Sequence, residues 1–177
     1  LGVTMSAKRS YRVSRREFVK GFTVLASGLM GMIVGLTEKD IVGFTGTGRE
    51  VSICNQNNPH TFIISGEYES VNSVLSASRE EGALRASLLP LSKPYHSELL
   101  KPASIGFRDA LNGLDVKNPE PAYFSNLNRE IITTGEGLRE ELVTNLYNRM
   151  NWYETMKAMI GQGVEVFYEC GAGEALT

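Results

Sequence analysis

Leu88-Leu89-Pro90-Leu91-Ser92-Lys93-Pro94-Tyr95-His96-Ser97 is the stretch on which the reading of this chain turns. An apolar, strand-like run stops at a proline, which cannot donate to a sheet ladder. A short polar turn follows, and a histidine stands directly before a helical pattern. An imidazole at the mouth of a strand-to-helix turn can reach solvent and a substrate, where a general base is useful. On spacing alone, an ordinary turn histidine is the commoner occupant of such a position. His96 is one of two histidines in the chain.

Working back from this stretch, the chain alternates strands and helices. Leu29–Leu36 reads as a strand. Thr37 is placed to cap a short helix with Asp40 in its first turn. A glycine-bearing turn, Thr45–Gly48, leads to a strand over Glu50–Cys54. Asn55–His60 reads as a polar turn, and Thr61–Gly66 as a second β-rich run. Residues 67–82 form a helical pattern with Val71, Val74 and Leu75 on one face, and Ala83–Leu91 gives a last strand. This β-α-β-β-α-β order is the ferredoxin-like arrangement, and it closes just before His96.

Working forward, Leu99, Leu100, Ile105, Phe107 and Leu111 supply a helix that Pro102 and Gly106 disturb. Leu114–Pro121 reads as loop and Ala122–Ser125 as a short strand. Thr133 or Thr134 opens a helix bearing Leu138, Leu142 and Leu146. Another helix follows Asn151, with Trp152, Met156, Met159 and Ile160 as a core-facing stripe. Val164–Cys170 is expected as a strand, with a tight turn at Gly171-Ala172-Gly173. No internal repeat is visible.

The bulk properties bound the class. A length of 177 residues suits one domain, or one with a small insert, and 42% hydrophobic residues suit a packed core. A net charge of -2 makes no general case for a nucleic-acid or anionic-membrane partner. Cys54 and Cys170 lack metal-type spacing and read as reduced, buried thiols on strands, which suits the cytoplasm. No apolar run is a clean membrane span. The first residue is Leu1, which suggests a fragment or a processed chain.

Residues 1–20 are basic, with Lys8, Arg9, Arg12, Arg15, Arg16 and Lys20 against Glu17, and residues 21–36 are apolar and glycine-rich. Ser14-Arg15-Arg16-Glu17-Phe18-Val19-Lys20 before an apolar run looks like a twin-arginine export signal. No A-x-A-like cleavage site follows it. The competing reading is a basic helix followed by the first strand.

Several separate stretches resemble one family, the malonyl-CoA:acyl-carrier-protein transacylases and the acyltransferase domains of polyketide synthases. Residues 28–36 resemble the family's G-A-M-A-A-V-L-G-L strand. Asn55-Gln56-Asn57-Asn58-Pro59 with Ile63–Gly66 resembles N-x-N-S-P-G-Q-x-V-I-S-G. Leu91–Leu100 resembles the P-F-H-S-x-L-M segment, and Tyr123-Phe124-Ser125-Asn126 resembles Y-S-N-V. Leu142–Leu146 and Asn151-Trp152 resemble L-V-x-Q-L and the following R-W, and residues 166–173 resemble F-x-E-x-G-P-G. The matches fall in the family's order over about residues 12–177.

The resemblance implies an α/β fold: part of an α/β-hydrolase-like acyltransferase core with an inserted ferredoxin-like subdomain. Residues 1–27 would be a basic N-terminal segment ending the truncated large domain, 28–92 the ferredoxin-like subdomain, and 93–177 the C-terminal part of the large domain. It implies ping-pong transfer of a malonyl group from coenzyme A through an acyl-serine to the phosphopantetheine thiol of an acyl carrier protein. No cofactor is needed beyond malonyl-CoA as substrate, and neither nucleic acid nor membrane is a partner.

By the same resemblance, His96 is the catalytic histidine, and Asn145 stands where a glutamine's main-chain carbonyl orients the imidazole. Arg15 matches the arginine that pairs the malonyl carboxylate, a bidentate role that lysine cannot reproduce. Asn55 and Asn57 match asparagines close to the site, and Asn126 helps hold a nearby loop. Asparagines are also ordinary turn formers. The chain departs from the family at Arg16 and His60, each in place of glycine, at Thr61 in place of glutamine, and at Ala172 in place of proline. Tyr95 suggests a bulky neighbour that favours malonyl over branched units.

The family's nucleophile lies in a G-H-S-x-G elbow, and no G-x-S-x-G occurs in these 177 residues. The expectation is therefore the C-terminal part of a longer acyltransferase. The alternatives are an acyl hydrolase of the same fold and a non-catalytic exported protein.

Overall fold

A computed structural model describes residues 28–45 and 50–170. Arg15, the twin-arginine-like segment, the basic helix, the turn at 46–49 and the turn at 171–173 lie outside the described residues.

The first strand, β1 (Leu29–Val34), forms because Met30, Met32 and Ile33 present apolar side chains to both sheet faces. Thr37 then opens α1 (Glu38–Thr45). The Thr37 hydroxyl accepts from the Asp40 N–H (3.3 Å), and the Asp40 carboxylate accepts from the Thr37 N–H (2.9 Å). This reciprocal cap satisfies two donors that the first helical turn leaves open.

Strands β2 (Val51–Asn58) and β3 (Thr61–Gly66) form a hairpin turning at Pro59-His60. The expected polar turn over Asn55–His60 is thus corrected: Asn55–Asn58 belong to the strand. Register shifts between Ile53 and Asn55 and between Gln56 and Asn58 let these polar residues stay in the ladder. Helix α2 (Tyr68–Glu80) and the short strand β4 (Arg85–Leu88) complete the unit. The expected strand over Ala83–Leu91 shrinks to four residues. It is an edge strand that pairs with β1, and Pro90 offers no N–H beyond it.

The four strands lie in the order β2-β3-β1-β4, with β1 antiparallel to both β3 and β4. One face is covered by α1 and α2, where Ile33, Ile41, Phe62, Ile64, Val71 and Leu75 make the main core. Gly31 lets α2 approach, since a Cβ there would meet the Leu75 methyls at 3.0 and 3.1 Å. The opposite face carries Met30, Cys54 and Ile63, packed by Met32, Leu89 and Tyr95. This second face brings the sheet to the candidate site.

After β4, a 3-10 turn (Glu98–Leu100) runs into α3 (Lys101–Asn112). Pro102 does not disturb this helix, because it sits in the first turn, where the missing N–H has no intrahelical partner. The expected short strand over Ala122–Ser125 is seen as β5 (Tyr123–Phe124); its hairpin partner β6 (Ile131–Ile132), which the sequence reading missed, precedes α4 (Gly135–Asn145). Helix α5 (Trp152–Gly161) follows and packs on β2.

Three further expectations are corrected. Val164–Cys170 is not a strand: it has no ladder partner among the described residues and runs exposed, with Tyr168 86% exposed. Cys170 is therefore exposed rather than buried. The α5 stripe is only partly covered, with Ile160 57% exposed, and Thr155 is the residue it buries. Among the described residues, no helix is long and apolar enough to cross a membrane.

Candidate active site

The site begins with the way α4 starts and stops. The Thr134 hydroxyl accepts from the Gly137 N–H (3.1 Å), which fixes the first turn. Leu138 and Val143 are buried along the helix. The helix ends at Asn145, and its last carbonyls lack intrahelical donors. Two of them are taken by one residue. The His96 N–H donates to the Leu146 carbonyl (2.9 Å), and His96 Nδ1 lies 2.7 Å from the Asn145 carbonyl.

A carbonyl only accepts, so Nδ1 must carry the proton in this contact. The lone pair of the neutral ring is then on Nε2, free to accept a proton. The negative end of the α4 dipole lies on the same side and favours an imidazolium should one form.

Several contacts hold His96 in place. Its backbone takes φ 59°, in the left-handed region, which histidine enters more readily than most side chains. Such a backbone costs on the order of 1 kcal/mol, offset here by the two hydrogen bonds to the α4 end. Pro94 is fully buried, and the Ser97 hydroxyl donates to its carbonyl (2.7 Å). Tyr95 packs on the Met30–Cys54–Ile63 cluster, its ring centroid 6.5 Å from that of His96. Burial pushes the His96 pKa below its ordinary value of 6.5, and the hydrogen bond to the Asn145 carbonyl opposes this in part. The ring is thus an unprotonated base near neutrality.

The asparagines gather at the start of α5. Asn55 Nδ2 donates to Asn57 Oδ1 (2.7 Å), and Asn55 Oδ1 accepts from the Trp152 N–H (3.1 Å). Asn151 caps α5 by accepting from the Glu154 N–H (3.1 Å), and its own N–H points to the Asn126 carbonyl at 3.5 Å. The Met150 N–H donates to the Cys54 carbonyl (2.9 Å). The short segment from Leu146 to Asn151 joins this group to the carbonyls that hold His96. His96, Asn145, Asn55, Asn57 and Asn126 therefore lie along one connected set of contacts. Arg15 lies outside the described residues.

Sequence reasoning missed two features. Glu141 is buried on α4 and bonded to the Ser125 hydroxyl; no local pattern signals that contact. Arg149 pairs with Glu38 of α1 through two hydrogen bonds, and this ion pair holds the Glu38 carboxyl below its ordinary pKa. Cys54 is fully buried, and burial raises its thiol pKa to about 12, which disfavours the reactive thiolate.

No family model matches the chain. It is 31% identical over 172 residues to a malonyl CoA-acyl carrier protein transacylase of Bacillus subtilis, covering 94% of this chain and 54% of that protein. The solved malonyl CoA-acyl carrier protein transacylase of Coxiella burnetii superposes with a TM-score of 0.80 at 28% identity, over 90% of this chain and 52% of that one. A type II PKS acyl-carrier protein in complex with its malonyl-transacylase matches with a TM-score of 0.74 at 32% identity, over 84% of this chain and 49% of that one. The chain spans about half the length of the curated relatives it matches. In sequence and in its α/β fold of helices and antiparallel sheets, the chain is related to the malonyl CoA-acyl carrier protein transacylases over that half.

Proposed function

We propose that the protein carrying this chain transfers a malonyl group from coenzyme A to the phosphopantetheine thiol of an acyl carrier protein. The observation that carries this reading is the His96 ring, held by the Asn145 carbonyl at Nδ1 so that the lone pair is on Nε2, on a chain whose relatives bear that activity in their names.

In the first half-reaction, Nε2 takes the proton of a serine hydroxyl contributed from outside this chain, as its oxygen attacks the malonyl thioester carbonyl. The tetrahedral intermediate collapses, the carbon–sulfur bond breaks, and the coenzyme A sulfur leaves with the proton held by the imidazolium. In the second, Nε2 takes the proton of the carrier thiol, whose sulfur attacks the acyl-serine. The serine oxygen leaves and recovers a proton from the ring. Asn145 orients the imidazole through its main chain. Arg15 clamps the malonyl carboxylate with two parallel donors. Asn55, Asn57 and Asn126 shape the wall beside the histidine.

Residues 28–92 form a ferredoxin-like subdomain; its β-α-β-β-α-β order and the strand order β2-β3-β1-β4 support this. Residues 1–27 and 93–177 belong to a larger, α/β-hydrolase-like part. A cytoplasmic location belongs to the same reading, and the reaction's coenzyme A and carrier-protein substrates support it.

The test is mass spectrometry of the full-length protein with malonyl-CoA, followed by transfer to a carrier protein. A malonyl-serine adduct is expected, with both half-reactions slowed by about 10²–10⁴-fold in His96→Ala. Arg15→Ala should lower malonyl transfer far more than transfer of an uncharged acyl group. Undiminished turnover in His96→Ala, or hydrolysis in place of transfer, would overturn the reading.

A further inference from the structure

Glu141 is 6% exposed at the middle of α4, a position where an apolar residue would pack without desolvating a charge. Its Oε2 accepts from the Ser125 hydroxyl at 2.8 Å. That hydroxyl also accepts from the Leu127 N–H (3.0 Å) and the Asn128 N–H (3.2 Å), so its one proton is committed to Glu141. Ser125 is fully buried, and its N–H donates to the Glu130 carbonyl (2.9 Å). Glu141 thus closes the turn at 125–128, which presents Asn126 to the start of α5.

The same residue lies one helical turn before Asn145, on the same face of α4. The second carboxylate oxygen is buried and makes no hydrogen bond of ordinary geometry among the described residues, and burial holds the Glu141 carboxyl above its ordinary pKa. Among the described residues no ion pair accounts for Glu141: the groups that face its carboxylate are the serine hydroxyl and the backbone N–H groups of Asn126 and Leu127. The contact instead joins the two groups of the site, the Asn126 turn and the helix end that holds His96.

We propose that Glu141 is a positioning residue for the transfer reaction: through the Ser125 hydroxyl it locks the 125–128 turn to α4 and so fixes the carbonyls that orient His96. This rests on the catalytic reading of His96. What Ser125 requires is an acceptor of the right length, not a charge.

The experiment uses the full-length protein with ¹⁵N-labelled histidine, its His96 ring signals assigned by their loss in His96→Gln. Glu141→Leu is expected to exchange-broaden the Nδ1–H signal. It should lower kcat by about tenfold with KM for malonyl-CoA within about twofold, as displacement of a catalytic group does. Glu141→Gln restores both, because the amide oxygen still accepts from Ser125. Ser125→Ala reproduces the loss from the other side of the contact, and combining it with Glu141→Leu adds nothing further.

A wild-type ring signal and kcat in Glu141→Leu would overturn the proposal. Should that variant fail to fold, Ser125→Ala, which removes a single oxygen, decides in the same way. The ring signal is read without substrate. A wild-type protein that transfers no malonyl group but loses the Nδ1–H signal in these variants would therefore overturn the transfer reading and leave the positioning role standing.

Discussion

His96 combines a left-handed backbone with two hydrogen bonds to consecutive carbonyls, so its orientation depends on main-chain atoms of another helix end. Asn145→Ala keeps that carbonyl and should leave transfer within about threefold of wild type, whereas loss of the imidazole itself costs orders of magnitude. Steady-state kinetics of the two variants separates the roles. The pH dependence follows from burial. Because the folded pKa of His96 lies below 6.5, the base form persists to lower pH than in a free histidine. The acid limb of kcat/KM should therefore have its midpoint below 6.5, and a midpoint above it would contradict the burial argument. The sign for stability is the same. On acidification through 6.5 the unfolded chain gains a proton that the folded ring resists, so this residue's contribution to stability is lost as pH falls.

At the scale of elements, the site depends on where helices and hairpins begin and end. Thr134 caps α4, the helix whose far end holds His96. Thr134→Ala should cost about 1 kcal/mol in denaturant unfolding. Gly66 closes β3 where it meets the start of β2, and a Cβ there would fall on the Glu50 carbonyl oxygen and the Val51 backbone. Backbone cannot swing aside as a flexible side chain can. Gly66→Ala should therefore cost about 1–3 kcal/mol, read as a lowered melting temperature.

For the whole molecule, the sheet unit and the helical segment after it are tied by a few contacts at β2 and α1. The Asn55 side chain accepts from Trp152, the Cys54 carbonyl accepts from Met150, and Glu38 pairs with Arg149. The ion pair is partly exposed and contributes little by itself. Asn55→Ala is a sharper test, because it strips the acceptor from a part-buried N–H. It should cost about 1–3 kcal/mol and speed amide exchange at Trp152 while leaving amides of α2 protected. The segment 164–170 pairs with no strand among the described residues. Its exposed Val166, Phe167 and Tyr168 show that strand-forming composition gives no strand without a neighbour to pair with.

The features legible in the sequence are those set by short-range physics. Apolar and β-rich runs placed β1 and β3, helical periodicity placed Val71, Val74 and Leu75 inside, and capping residue types marked Thr37 and the Thr133-Thr134 pair. The strand-to-helix turn around His96 was visible for the same reason. Tertiary structure alone decided that the Leu146 carbonyl takes the His96 N–H, that Asn55–Asn58 remain in the ladder, that Cys170 is exposed, and that Glu141 reaches Ser125. Each of these depends on a partner brought near only by folding, and such a partner leaves no mark on the local pattern of residues.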